Sequence, residues 1–318
     1  MSTAVLAKSI TKTFKSNTKI AAVDGLGLSV SQGELFGLVG PDGAGKTTTL
    51  RMLSTVILPT SGSAEVAGYD TKSKPEMVRR SIGYMPQNFT LYPDLSVMEN
   101  LNFFANINGL DGRKKEENIS RLLGFTRLER FMDRRAGKLS GGMKKKLALA
   151  CAMIHDPKVL ILDEPSTGVD PVSRRELWVI LAKIVEEGVS IIVSTPYMDE
   201  AERCHRIGML YQGQLLACGE PQRLIEELPF QVLELKAKPR KPVRMILDNY
   251  SSALDWRPVG DRMRLMVQGK NGSLPKLEHS LSKDMKAQNV DVSYIREAKS
   301  TMEDVFIHLV EKQRVANV

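Results

Sequence analysis

The chain has 318 residues, with 45 Lys and Arg against 37 Asp and Glu, giving a formal charge of +8. At 42% hydrophobic and 26% charged it has the composition of an ordinary globular protein, and its length suits two domains, or a large one with a small one. Disorder, collagen and a disulfide-stapled miniprotein are excluded, and no run of 18 apolar residues is present to cross a bilayer.

In chain order, Lys8–Phe14 and Ala22–Val30 read as strands. Glu34–Val39 reads as a buried strand running into a glycine-rich turn, and Lys46–Ser54 as a helix. The stretch from about Asn88 to Met153 holds helical patterns such as Val97–Ile107 and Lys115–Leu123 without a strong strand, so it is expected to be a mostly helical insertion. Val159–Leu162 (strand), Pro171–Glu187 (helix), Val189–Ser194 (strand), Met198–Arg203 (helix) and Ile207–Tyr211 (strand) follow. Strands alternating with helices predict an α/β fold with a parallel, largely buried sheet. A composition shift at Leu228-Pro229 separates this part, residues 1–228, from a small α+β domain, residues 229–318. The latter has strand-like runs at Gln231–Lys236, Met263–Gln268 and Val290–Tyr294 and a final helix, Met302–Lys312.

The N-terminal residues Met1–Lys8 lack the apolar core of a signal peptide. Cys151, Cys204 and Cys218 are odd in number and far apart, which predicts reduced thiols and no zinc site or disulfide framework. From Pro229 onward about 16 Lys and Arg face about 11 Asp and Glu. Such a basic tail could face lipid headgroups or nucleic acid. No aromatic residues interleave with it at regular spacing, so a solvated basic surface is the simpler reading and no nucleic-acid partner is expected.

Three motifs carry chemistry. Gly40-Pro41-Asp42-Gly43-Ala44-Gly45-Lys46-Thr47-Thr48 fits the phosphate-binding pattern G-x-x-x-x-G-K-[ST]. Glycines let backbone N–H groups turn inward around phosphate oxygens, and the following helix aims its positive end at the anion. Lys46 adds a point charge at the β- and γ-phosphates, and the Thr47 hydroxyl can ligate Mg²⁺. Val159-Leu160-Ile161-Leu162-Asp163-Glu164-Pro165 is an apolar strand ending in two carboxylates. Strand alternation points these two in different directions, one toward a metal shell and one toward a water. Leu139-Ser140-Gly141-Gly142-Met143 opens a helix and offers a second anion site, although Ser-Gly-Gly is also a common N-cap turn.

The order of these motifs, with Gln87 in Tyr84-Met85-Pro86-Gln87 and the run Ser166-Thr167-Gly168-Val169-Asp170, resembles the ATP-binding subunits of ABC transporters over residues about 5 to 225. The tail Arg296-Glu297-Ala298-Lys299-Ser300-Thr301-Met302-Glu303-Asp304-Val305-Phe306 looks like the end of the ATPases that serve ABC-2 type permeases, the drug and polymer exporter group.

The resemblance implies a P-loop NTPase core and the following roles. Phe14 stacks on adenine, unless it is a core residue at a strand end. Gly40 to Thr48 bind the phosphates, with Thr47, Gln87 and Asp163 on Mg²⁺. Glu164 is the general base, and Lys46 and Gln87 assist. Ser140, Gly141 and Gly142 contact the γ-phosphate of ATP held by the opposite subunit, and Asp170 links the two sites. The implied ligands are ATP and Mg²⁺. The implied partners are a second nucleotide-binding domain, as a copy or a relative, and an integral-membrane ABC-2 type permease docked around Phe89–Ile107. The chain would then lie on the cytoplasmic face of a membrane. Met143 replaces the more frequent Gln, a change found in this subgroup.

One departure stands out. The family usually has a His after Ser194-Thr195, and this chain has Pro196, which offers no side-chain donor and no N–H. Losing one such donor costs about 3 kcal/mol in the transition state, so slow hydrolysis is expected unless Glu164 carries a larger share. Two rival readings remain at this level: a regulatory subunit that binds ATP and hydrolyses it weakly, and a soluble ABC ATPase without a membrane partner.

Overall fold

The computed structural model describes residues 2–14, 21–88, 91–250, 253–268 and 274–316. It begins β1 (Thr3–Thr13), β2 (Ala21–Ser31), β3 (Leu35–Val39), α1 (Lys46–Leu53), β4 (Ser61–Val66), β5 (Tyr69–Asp70), α2 (Pro75–Ser81) and β6 (Ile82–Met85). Helices α3 (Val97–Ile107), α4 (Gly112–Thr126) and α5 (Gly141–Met153) come next. After them run β7 (Val159–Asp163), α6 (Pro171–Glu186), β8 (Ser190–Thr195), α7 (Met198–Ala201), β9 (Arg206–Tyr211), β10 (Gln214–Gly219) and α8 (Pro221–Glu226). The last stretch holds β11 (Phe230–Lys238), α9 (Arg240–Asp248), β12 (Ala253–Val259), β13 (Arg262–Gln268), α10 (Leu274–Ala287), β14 (Asp291–Ala298) and α11 (Met302–Ala316). The chain divides into two units, Met1–Pro221 with Leu309–Val318, and Gln222–His308.

In the first unit a six-stranded sheet has the order β10-β9-β3-β8-β7-β6. All its neighbours are parallel except β9 and β10. Every residue of β3, β7 and β8 is buried, as expected for central strands covered on both faces. The register matches Val39 with Thr195, Asp163 with Ser194 and Met85 with Leu162. The carboxyl ends of four parallel strands therefore lie level, and the segments beyond them share one edge, where α/β sheets bind ligands.

The first hairpin departs from the expected α/β alternation. β1 and β2 join β4 and β5 in a separate antiparallel sheet, order β2-β1-β4-β5. The period-2 pattern of Leu26, Leu28 and Val30, buried between exposed Gly27 and Ser29, is the mark of a sheet with one wet face. Its dry face packs with Phe36, Leu38, Leu50 and Met52.

The helical insertion forms as expected. Ser96 and Glu99 close a capping box at the start of α3, and Leu101, Leu122 and Leu147 bring α3, α4 and α5 together as fully buried residues. Phe89, the expected start of the permease-docking segment, lies outside the described residues.

The second unit has the order β11-α9-β12-β13-α10-β14, a split βαβ arrangement whose antiparallel sheet runs β12-β13-β11-β14. Leu233, Leu235, Leu265 and Val267 face Val243, Ile246, Leu281 and Met285 of α9 and α10.

Candidate functional site

The loop between β3 and α1 is set by close backbone approach. Gly45 has φ +104, and a Cβ there would lie 2.6 Å from the Ala22 carbonyl oxygen. At Gly40 a Cβ would lie 2.2 Å from the Leu210 carbonyl oxygen, so no side chain fits. Lys46 opens α1 with its side chain almost fully buried. Its Nζ donates to the carbonyls of Gly40 (2.8 Å) and Pro41 (3.1 Å) and lies 3.4 Å from Glu164 Oε1. A buried ammonium needs such partners, and they hold it inside the curl of the loop.

Asp163 ends β7. Its Oδ1 accepts from Thr47 Oγ1 (3.0 Å) and Ser194 Oγ (2.7 Å). Its Oδ2 is buried without a hydrogen-bond partner among the described residues. Glu164 follows with φ +49, a left-handed backbone, and its N–H donates to Ser194 Oγ at 2.9 Å. Gln87 Nε2 (2.9 Å) and Thr167 Oγ1 (3.2 Å) donate to Glu164 Oε2. The strand stops at Asp163 and a left-handed turn, not strand alternation, directs Glu164: Asp163 meets Thr47 and Ser194, and Glu164 meets Lys46, Gln87 and Thr167.

Beside these groups lies a cavity of about 380 Å³, lined by Ala22, Asp42 to Thr48, Gln87 and Glu164. A buried carboxylate oxygen without a partner, beside the Thr47 hydroxyl, is a hard oxygen donor set that fits Mg²⁺. Burial and then the Asp163 charge push the nearby Tyr84 hydroxyl up, so it stays neutral.

Phe14, Gly40, Pro41, Ser140, Gly141, Gly142, Asp163 and Asp170 do not line this cavity. Phe14 is 49% exposed, which removes the core alternative for it. Ser140 caps α5, accepting from Met143 N at 3.3 Å, and Asp170 caps α6, accepting from Val172 and Ser173 N. Gly142 is packed so tightly that a Cβ would meet Ser173 Cβ at 2.4 Å. The helix N-termini of α5 and α6 are therefore neighbours.

The structure adds residues that motif reading missed. Lys145, one of three consecutive lysines in α5, donates from Nζ to the carbonyls of Gln87 (3.2 Å) and Glu164 (3.4 Å). Burial pulls its pKa down, against the attraction of Glu164 and Asp163. Beyond β8, Thr195 Oγ1 donates to the fully buried Glu200, which also accepts from Arg174 Nε (2.5 Å) and Trp178 Nε1 (3.0 Å). Pro196 sits beside this network. Only the Ser-Thr pair at the end of β8 hinted at these groups in the sequence; Arg174 and Glu200 come from different helices.

Comparison with known proteins fits this geometry. The profile described as ABC transporter matches residues 23–167, a span that includes Lys46, Gln87, Ser140, Asp163 and Glu164. The Nod factor export ATP-binding protein I of Burkholderia pseudomallei (strain 1710b) is 44% identical over 215 residues, 67% of this chain and 71% of that protein. The chain belongs to the ABC transporter ATP-binding family. Within it, the probable multidrug ABC transporter ATP-binding protein YbhF of Escherichia coli (strain K12) is 43% identical over 290 residues, 91% of this chain and 49% of that protein. The chain thus spans about half the length of that relative. Among solved structures, the ATP-binding cassette MJ0796 bound to ADP and Pi, a dimeric post-hydrolysis state, superposes with a TM-score of 0.63 at 27% identity, covering 68% of this chain and 98% of that one. Among the described residues no helix is long and apolar enough to cross a membrane.

Proposed function

We propose that this ABC ATP-binding protein binds ATP with Mg²⁺ at the loop Gly40–Thr48, hydrolyses it to ADP and phosphate, and powers export through a separate ABC-2 type permease. The observation that carries the reading is the convergence of Lys46, Thr47, Gln87 and Glu164 on one cavity, with Asp163 hydrogen-bonded to Thr47 behind it. Loop N–H groups and Lys46 neutralise the phosphates and oppose the charge that develops on them. Glu164 orients a water and takes its proton at the carboxylate, while Gln87 fixes that carboxylate from the other side. Mg²⁺, when bound, would draw off phosphate charge, and Thr47, Gln87 and Asp163 are the residues that would hold it.

Ser140, Gly141 and Gly142 act on the nucleotide of a second copy or a close relative. That none of them lines the cavity of their own chain supports this, since two half-sites must then face each other. Phe14 stacks on the adenine from its exposed position, and Asp170 links the two sites. The subunit lies on the cytoplasmic face of the membrane, with the helical insertion as the docking region. Pro196 favours slow turnover, and it keeps alive the second reading of a regulatory subunit with weak hydrolysis.

Phosphate release by purified chain, compared with Glu164→Gln, tests the catalytic assignment. Loss of turnover with retained ATP binding is expected; unchanged turnover overturns it. A pull-down of tagged Glu164→Gln chain with Mg²⁺-ATP tests the transport assignment. Recovery of a multi-span permease is expected, and recovery of soluble partners alone refutes it.

A further inference from the structure

β8 runs between β3, which leads to the phosphate loop, and β7, which leads to the two carboxylates. Its residues Ile191, Ile192 and Val193 are apolar and fully buried, as a central strand demands. Ser194 interrupts that run with a hydroxyl at zero exposure. A serine hydroxyl has one proton to give and lone pairs to receive. Here the proton goes to Asp163 Oδ1 at 2.7 Å, and a lone pair receives the Glu164 N–H at 2.9 Å. The next residue ties the same strand end to the loop, since Gly40 N donates to the Thr195 carbonyl at 3.3 Å.

Both bonds of Ser194 bear on the geometry of the carboxylates. With Thr47 and Ser194 on Oδ1, only Oδ2 of Asp163 is left without a partner, so the pair of hydroxyls decides which oxygen remains available. Glu164 sits at φ +49, a conformation that a non-glycine residue abandons unless its surroundings hold it. The Ser194 hydroxyl is what receives its N–H. Pro196, two residues on, has no donor of its own to offer the site.

We propose that Ser194 is a positioning residue for hydrolysis: its buried hydroxyl locks Asp163 and the turn at Glu164 into one unit, so that the two carboxylates keep a fixed relation to the phosphate loop. This rests on the ATPase reading above. Groups that orient a metal-facing carboxylate typically change metal affinity or rate by about 10- to 100-fold when removed.

The test uses the full chain as wild type, Ser194→Ala, Ser194→Cys, Ser194→Thr and Glu164→Gln. In Ser194→Ala, kcat is expected to fall about 10- to 100-fold while KM for ATP stays within about threefold. The Mg²⁺ concentration that half-saturates binding of a fluorescent ATP analogue should rise, a readout independent of turnover. Ser194→Thr keeps the hydroxyl and should recover most of the rate. Ser194→Cys keeps the volume with a weak donor, and should show the kcat loss even if Ser194→Ala does not fold. Equal kcat in wild type, Ser194→Ala and Ser194→Cys, with Glu164→Gln inactive, overturns the role of Ser194 alone. So does a rate in Ser194→Thr as low as in the alanine variant. Turnover that survives Glu164→Gln overturns the catalytic assignment of Glu164, and the role of Ser194 with it; wild-type chain without turnover overturns the ATPase reading itself.

Discussion

Replacing Arg174 by Met should destabilise the nucleotide-binding unit more than any ordinary surface substitution. Arg174 projects from α6 onto Glu200, whose side chain is fully buried, with Nε at 2.5 Å from Oε1. Burial opposes the Arg174 charge, but Glu200 and Asp199 outweigh it and hold the guanidinium protonated more firmly than usual. The bond to Asp199 spans to an exposed carboxylate and contributes at most about 1 kcal/mol. The stacking of Arg174 over Tyr197, 4.5 Å from the ring centroid, contributes about 0.5–1 kcal/mol. The main loss is the cation beside Glu200: stripping one partner from a buried pair costs about 3–5 kcal/mol. Arg174 keeps 26% side-chain exposure, so water can reach part of the gap and the low end, about 3 kcal/mol, applies. For a unit of this size about 1 kcal/mol moves Tm by about 2–4 °C, so a fall of about 6–12 °C is expected. Thermal unfolding followed by circular dichroism measures it. In Arg174→Met/Glu200→Gln the neutral amide accepts from Trp178 at its oxygen and donates from its NH2 to the Thr195 hydroxyl, so more than half of the loss should return. A Tm within 2 °C of wild type for Arg174→Met, or a double variant no better than the single one, refutes the argument.

Pro196→His should raise kcat by about tenfold or more, because one added donor to a developing charge contributes up to about a hundredfold; Pro196→Ala, which restores only the N–H, should not, and phosphate release separates the two. In the second unit, burial alone would raise the Glu234 pKa, but hydrogen bonds from Arg262, Arg296 and Tyr294 outweigh it and hold the carboxyl down to about 2. A depressed acid stabilises the fold above its unfolded value of 4.5, and that contribution is lost as pH falls toward 2. Trp256 fluorescence should therefore report acid unfolding across this window, and Glu234→Gln should be less stable at neutral pH and lack that dependence. Among the cysteines, Cys218 is exposed while Cys151 and Cys204 are buried, and burial pushes the Cys204 thiol up to about 12. A thiol reagent should label one cysteine in the native chain and all three after denaturation.

Motif spacing carried most of the site because its chemistry is local. A loop that must curl around phosphate needs glycines and a following lysine within nine residues, and a strand that presents acids at its end shows them as neighbours. The redirection of Glu164 was not legible, because a left-handed turn at a glutamate leaves no mark on hydropathy. Neither was the Arg174–Glu200–Trp178 cluster, whose members lie about two dozen residues apart and are joined only by the packing of α6 against the segment after β8. In the second unit β12 escaped the sequence reading because Pro258 breaks a strand pattern. The structure places that strand at the edge of its sheet, where one face of the ladder makes no demand on an N–H. Helices α9 and α10 were hidden for a related reason, since prolines near their starts read as loop signals.

The left-handed backbone at Glu164 also bears on how this protein can be engineered. Such a conformation costs a non-glycine residue about 1 kcal/mol, and glycine or asparagine would relieve it. Against that gain stands the carboxylate's place beside buried Lys46, whose loss costs about 3–5 kcal/mol, so selection for thermal tolerance should keep an acid at position 164. A library varied at this codon and sorted by heat resistance should therefore retain glutamate over glycine, and the strained turn is a poor place to begin hardening the scaffold.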